Sequence, residues 1–185
     1  ADIPSDAIVN KNNLTASPGD IPDAEGVDKV YDGSKDTKYL NKSGVGVGFI
    51  VPLTQSASVN GLYLITANDA SHRDPTHYKL YGSNSEISWG DSGWTEVAQG
   101  DTGLPYTRNT AAMVSFDDTA TYQYYKVEFD TLRGGGNDNY MQIAEARLRF
   151  VDIPSDAIVN TNNLTASSSD GPPNENVDKL NDDKS

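Results

Sequence analysis

The chain contains no cysteine, which removes disulfide stapling, thiol nucleophiles and cysteine-ligated zinc together. It has only two histidines, His72 and His77, too few for a histidine metal cluster. Positive charge is also scarce: 14 Lys and Arg stand against 27 Asp and Glu, a net charge of −13. Such a surface repels phosphate backbones and argues against nucleic acid as a partner, but leaves neutral sugars and divalent cations open. No run approaches the roughly 20 apolar residues of a membrane span, so membrane insertion is not expected. The start, Ala1-Asp2-Ile3-Pro4, lacks the basic and apolar regions of a signal peptide; it reads as a processed start or an internal piece. Apolar residues make up 36%, low for a globular chain. Ten Tyr, four Phe and two Trp nevertheless supply enough bulk for one economical core.

The two ends of the sequence repeat. Residues 2–17 recur at 152–167 with Lys11 against Thr161 as the one difference, and Val27-Asp28-Lys29 returns as Val177-Asp178-Lys179. A fixed offset of 150 residues is far longer than a solenoid period of about 20–50. It predicts tandem domains: residues 1–151 as one module and 152–185 as the truncated start of a second.

Between Gly44 and Phe150 the apolar runs are short and separated by turn signals. Strands are expected at Val45–Leu53, Val59–Ala67, Tyr78–Tyr81, Trp94–Val97, Ala111–Phe116 and Tyr124–Phe129, with a last one over 144–150. Tyr125, Val127 and Phe129 alternate with polar neighbours, as a half-buried strand requires. Seven or eight such strands predict an all-β fold, a β-sandwich. Trp94 is expected in the core and Trp89 in an exposed loop.

Several motifs in order resemble discoidin-like (coagulation factor type C) domains and family 32 carbohydrate-binding modules. They are Glu25-Gly-Val-Asp-Lys29, Asp32-Gly33 and Thr37-Lys-Tyr-Leu-Asn41; then Thr66-Ala-Asn-Asp-Ala70, Arg73-Asp-Pro75 and Tyr78-Lys-Leu-Tyr-Gly-Ser-Asn84; and finally Leu104-Pro105, Arg108-Asn109 and Met141-Gln-Ile-Ala-Glu145. The resemblance implies a jelly-roll β-sandwich of the galactose-binding-domain-like kind, with ligand loops at one end and often a structural calcium ion. It also implies a secreted or cell-surface setting beside neighbouring modules of the same chain. By motif it assigns calcium to Asp32, Thr37 and Glu145, with carbonyls near Lys29, Ser34 and Ala144. The loop at Asp32–Thr37 is rich in the hard oxygens calcium takes, although Asp32 equally suits a turn cap and Glu145 a solvent-facing strand position.

Three polar loops are candidates for gripping a glycan. The first carries Asn68, Asp69, His72 and Arg73; the second Arg108 and Asn109; the third Arg133, Asn137, Asn139 and Tyr140. Arg with Asn or Asp can bracket vicinal hydroxyls, and the glycines at 134–136 allow close backbone approach. Arg73 and Asp74 have an alternative use as an internal ion pair, and Arg108 and Asn109 have the same one. No nucleophile elbow, phosphate loop or zinc motif is present. The expectation is a non-catalytic module that binds polysaccharide or glycan, with a spacer or adhesive repeat as the alternative.

Overall fold

The computed structural model describes residues 7–117, 120–135 and 140–151. Asn137, Asn139 and the repeated segment 152–185 lie outside the described residues. The described strands are β1 (Thr15–Ala16), β2 (Tyr39–Asn41), β3 (Val47–Ala57), β4 (Val59–Ile65), β5 (Pro75–Ser83), β6 (Thr95–Asp101), β7 (Ala111–Ser115), β8 (Tyr122–Leu132), β9 (Met141–Ile143) and β10 (Glu145–Phe150). They form an antiparallel five-stranded sheet in the order β1-β3-β8-β5-β6, a three-stranded sheet β10-β4-β7 and a small pair β2-β9. The helical pieces are short 3-10 turns. Among the described residues no helix is long and apolar enough to cross a membrane.

Period-two alternation builds the core. On β8, Tyr125, Val127 and Phe129 are buried, and Val127 sits between Phe49 on β3 and Leu80 on β5. The facing sheet supplies Leu62 and Leu64 from β4, paired with Leu148 and Ala146 on β10. All of these belong to one apolar cluster, so two sheets share one core, as the β-sandwich expectation requires.

The N-terminal stretch is part of this sandwich. Ile8 and Val9 are buried, Val9 bridges to Leu53, and Thr15 and Ala16 pair with Ile50 and Phe49. A buried polar network ties β2 to the same edge: Tyr39 Oη donates to the Gly48 carbonyl at 2.9 Å, Asn41 Nδ2 donates to Tyr39 Oη at 3.3 Å, and Gly48 N–H donates to Ser17 Oγ at 3.0 Å.

Two expectations are corrected. Trp94 lies outside the core cluster, and Trp89 is half-buried rather than free. Both rings cover Lys126 on the outer face of the large sheet, its Nζ lying 4.9 Å from the Trp89 centroid, 5.3 Å from Trp94 and 4.5 Å from Tyr81. An ammonium group on an outward position of a buried strand needs such cover, and π-faces provide it at low desolvation cost. Burial pulls the Lys126 pKa below its usual value.

Strand β3 approaches β8 so closely at Gly48 that an added Cβ would lie 1.8 Å from the Val127 carbonyl oxygen. Gly48→Ala is expected to lower stability by roughly 1–3 kcal/mol in urea denaturation. Gly90→Ala, where no atom lies within 4 Å, should stay within about 0.5 kcal/mol.

Candidate functional site

Three loops meet at one end of the sandwich: 66–74 between β4 and β5, 102–110 between β6 and β7, and the stretch after β8 that begins at Arg133. Backbone bonds stitch them together. Gly134 N–H donates to the His72 carbonyl at 2.8 Å, Arg133 N–H to the Asp74 carbonyl at 2.9 Å and Asn109 N–H to the Ala67 carbonyl at 3.4 Å. At Gly134 a Cβ would meet the His72 carbonyl oxygen at 2.9 Å, so this glycine permits the close approach.

The hub is Asp74, fully buried. Arg108 grips it in a bidentate fork, Nη1 to Oδ1 at 2.8 Å and Nη2 to Oδ2. Arg133 Nη2 reaches Oδ2 at 3.2 Å. The two guanidinium groups spend further donors on loop carbonyls: Arg108 on Ala67, Asp69 and Tyr106, and Arg133 on Ser71, Leu104 and Pro105. Arg108 and Arg133 therefore hold the rim together, with the donors named here spent on the protein itself. Asp74 forms ion pairs with Arg108 and Arg133. Arg73 lies over the Tyr140 ring, its Cζ 4.9 Å from the centroid.

The remaining candidates edge this platform. Asn68, Asp69 and His72 are exposed. Lys38 Nζ donates to Asp69 at 2.7 Å, which holds the Asp69 carboxyl below its usual range. Buried Gln142 donates to the Asp69 carbonyl at 2.6 Å. Ala70 and Asn109, with φ of 41° and 52°, are the two non-glycine residues of positive φ among the described ones, and both lie in the rim. Backbone held in sparsely populated regions tends to cluster at functional sites. Asn109 Oδ1 is buried without a hydrogen-bond partner, while its Nδ2 donates to Asp36 at 3.5 Å. Tyr106, 71% exposed, offers an open ring with the Arg133 guanidinium 4.0 Å from its centroid. Tyr106 lies in the same loop as the candidates Arg108 and Asn109 but was not itself a candidate. Its sign was a large aromatic in a polar loop after Pro105.

The Asp32–Thr37 loop folds against Glu145. Asp32 Oδ1 accepts from Ser34 N–H at 2.8 Å and Oδ2 from Thr37 Oγ1 at 2.6 Å, while Thr37 Oγ1 also lies 3.3 Å from the Ser34 carbonyl. Glu145 Oε1 accepts from the N–H groups of Gly33 at 2.9 Å and Ser34 at 3.2 Å, and Oε2 from Arg147. The Lys29 carbonyl accepts from Asp32 N–H, and Ala144 is buried beside Glu145. The six residues assigned to calcium thus share one neighbourhood. Their carboxylates, hydroxyl and carbonyls are hard oxygen donors. Among the described residues no group of three His, Cys, Asp or Glu gathers, so a cation here would rely on two carboxylates and neutral oxygens. Burial, opposed by Arg147 and raised further by Asp32, pushes Glu145 up to about 7.

Two outcomes follow. Asp74→Ala leaves two guanidinium groups without their counter-charge and should cost roughly 3–5 kcal/mol in urea denaturation, with Asp74→Asn losing less. In chelator, the Glu145 contribution is complete below its ordinary pKa of 4.5 and is lost as pH rises through about 7, because the folded state holds the proton more tightly. The melting temperature of the chelated protein should therefore fall more across that interval than that of Glu145→Gln.

No model of a known sequence family matches the chain, and no curated protein matches it. Solved structures do. The family 32 module of Clostridium perfringens NanJ in complex with galactose aligns with a TM-score of 0.57 at 18% identity, covering 76% of this chain and 97% of that one. The third family 32 module of a family 31 glycoside hydrolase from the same organism aligns at 0.61 and 18% identity, covering 78% and 96%. A C. perfringens family 32 module in complex with GalNAc-β-1,3-galactose aligns at 0.57 and 15% identity, covering 77% and 99%. The chain is a β-sandwich with the fold of these family 32 carbohydrate-binding modules.

Proposed function

We propose that this chain is a non-catalytic carbohydrate-binding module of a secreted multimodular protein, gripping a neutral glycan at the braced rim. The observation that carries the reading is the rim itself: three loops fixed by one buried carboxylate, with an open tyrosine ring and exposed Asn68, Asp69 and His72 around it. An aromatic face supports the C–H side of a sugar ring while amides and carboxylates bond its hydroxyls. Modules of the same fold were solved with galactose and with GalNAc-β-1,3-galactose, which supports galactose-type sugars as the first ligands to try. Among the described residues the two fully buried acids are both committed, Asp74 to Arg108 and Arg133 and Glu145 to Arg147 and backbone N–H groups.

The proposal includes a structural calcium ion at Asp32, Thr37 and Glu145 with neighbouring carbonyls. Calcium there would reach the rim indirectly, because Asp36 meets Asn109 and Lys38 meets Asp69. The sequence repeat at an offset of 150 favours a second reading, a spacer or adhesive array without sugar affinity of its own.

Retention of the chain on galactose-bearing affinity gels separates the two. The module reading expects retention that Tyr106→Ala weakens at least about tenfold with an unchanged melting temperature; a spacer shows no retention on any glycan. Calcium at about one hundred times its dissociation constant should add roughly 2.7 kcal/mol and raise the melting temperature, and Asp32→Ala should abolish that rise. An identical melting curve in calcium and in chelator removes the ion from the proposal.

A further inference from the structure

The outer face of the large sheet carries a groove of about 1190 Å³, remote in sequence from the rim: none of its lining residues belongs to the three rim loops. Its floor is Ile50, Pro52 and Tyr124, from β3 and β8, and its edges carry Asn12, Asn13 and Gln123. Trp89 forms part of the opposing wall. That wall is fixed in advance. Lys126 Nζ donates to the Trp89 carbonyl at 3.1 Å while lying under its ring, and Trp94 Nε1 donates to the Ser88 carbonyl at 2.9 Å. A tryptophan held in place before binding loses little freedom when a ligand arrives.

The lining chemistry narrows the occupant. Glu86 is the one charged residue among the lining residues, in a chain of net charge −13. None of the lining residues is cationic, and the nearby Lys126 ammonium is spent on the Trp89 carbonyl and ring, so little attracts an anionic polymer, and one acid is too little to select a basic segment. The β3 and β8 residues that line it present a sheet face, and β1, the edge strand that also lines it, is only two residues long, so an added peptide strand finds little ladder. Side-chain amides and hydroxyls alternating with Trp89 and Tyr124 suit a ligand with both hydroxyl edges and C–H faces. The volume exceeds the roughly 300–1,000 Å³ of a pocket for one small ligand, enough for several sugar rings.

The geometry points to a second glycan site, in which this groove binds a stretch of a neutral polysaccharide chain while the rim takes a terminal or single sugar. Lys126 is its positioning residue, holding the Trp89 wall. The inference does not depend on the rim being a sugar site, because its residues and its signal are separate.

Both tryptophans of the chain lie on this face, so tryptophan emission reports the groove and not the rim. The full chain is titrated with cellohexaose, xylohexaose and mannohexaose, with an alginate oligosaccharide as the anionic control. The expected result is a saturable emission change with at least one neutral hexasaccharide and none with alginate. It should persist in Tyr106→Ala and weaken at least about tenfold in both Tyr124→Ala and Asn13→Asp. Asn13 is exposed, so Asn13→Asp gives the answer even if Tyr124→Ala fails to fold, and melting curves identify that failure. Absence of any change with all three hexasaccharides overturns the groove, whatever the gels report for the rim. A change abolished by Tyr106→Ala but kept in both groove variants likewise overturns it and assigns the sugar to the rim.

Discussion

A buried aspartate between two arginines sets the geometry of the functional end. Asp74 has no exposure, and taking a carboxylate out of water is costly unless it is paired and hydrogen-bonded. Arg108 and Arg133 meet that requirement, and each then spends its other donors on carbonyls of neighbouring loops. One charge thereby fixes three chain segments that would otherwise move independently. The open Tyr106 ring, the Arg73–Tyr140 stack and the polar edge at Asn68 and Asp69 depend on that lacing for their relative positions. Sugars offer weak individual contacts, so a site that binds them gains most from being ordered beforehand.

A second brace lies beneath the first. Glu145 at the start of β10 holds the 33–34 backbone, and that loop touches the rim through Asp36 and Lys38. The strong acidity of the chain thus has two parts. Among the described residues most carboxylates are at the surface, while Asp74 and Glu145 are fully buried and organise loops. On the opposite charge, Lys126 follows the same logic: an ion in a poor solvent, compensated by three aromatic rings, fixes the Trp89 loop over the large sheet.

Alternation was the strongest signal in the sequence. Tyr125, Val127 and Phe129 read correctly as the core face of β8 because period two leaves no other way to bury them. The loops carrying Asn68–Arg73, Arg108–Asn109 and Arg133 stood out by their polar composition as candidates for one ligand-binding end. An internal ion pair was one of two readings for Arg108 and was not among those for Arg133, because a guanidinium that grips a sugar and one that grips Asp74 look alike in a sequence. Trp94 failed for a related reason: its ring covers an outward lysine, and nothing in local pattern marks Lys126 as needing a lid. Strands β1 and β2 escaped notice because two or three residues are too few to show a period. The repeated stretch 2–17 contains Ile8, Val9 and the pairing residues Thr15 and Ala16, but the repeat itself carried no strand assignment.

The sandwich explains why both candidate surfaces are built from residues distant in sequence: the sheets position the loops, and buried charges order them. An amide NMR titration with galactose in calcium buffer tests the rim assignment most directly. Perturbations concentrated at Asn68, Asp69, Arg73 and Tyr106, with the core strands unmoved, are predicted. A saturated titration that leaves those four amides in place, or shifts only residues away from the rim, would contradict it.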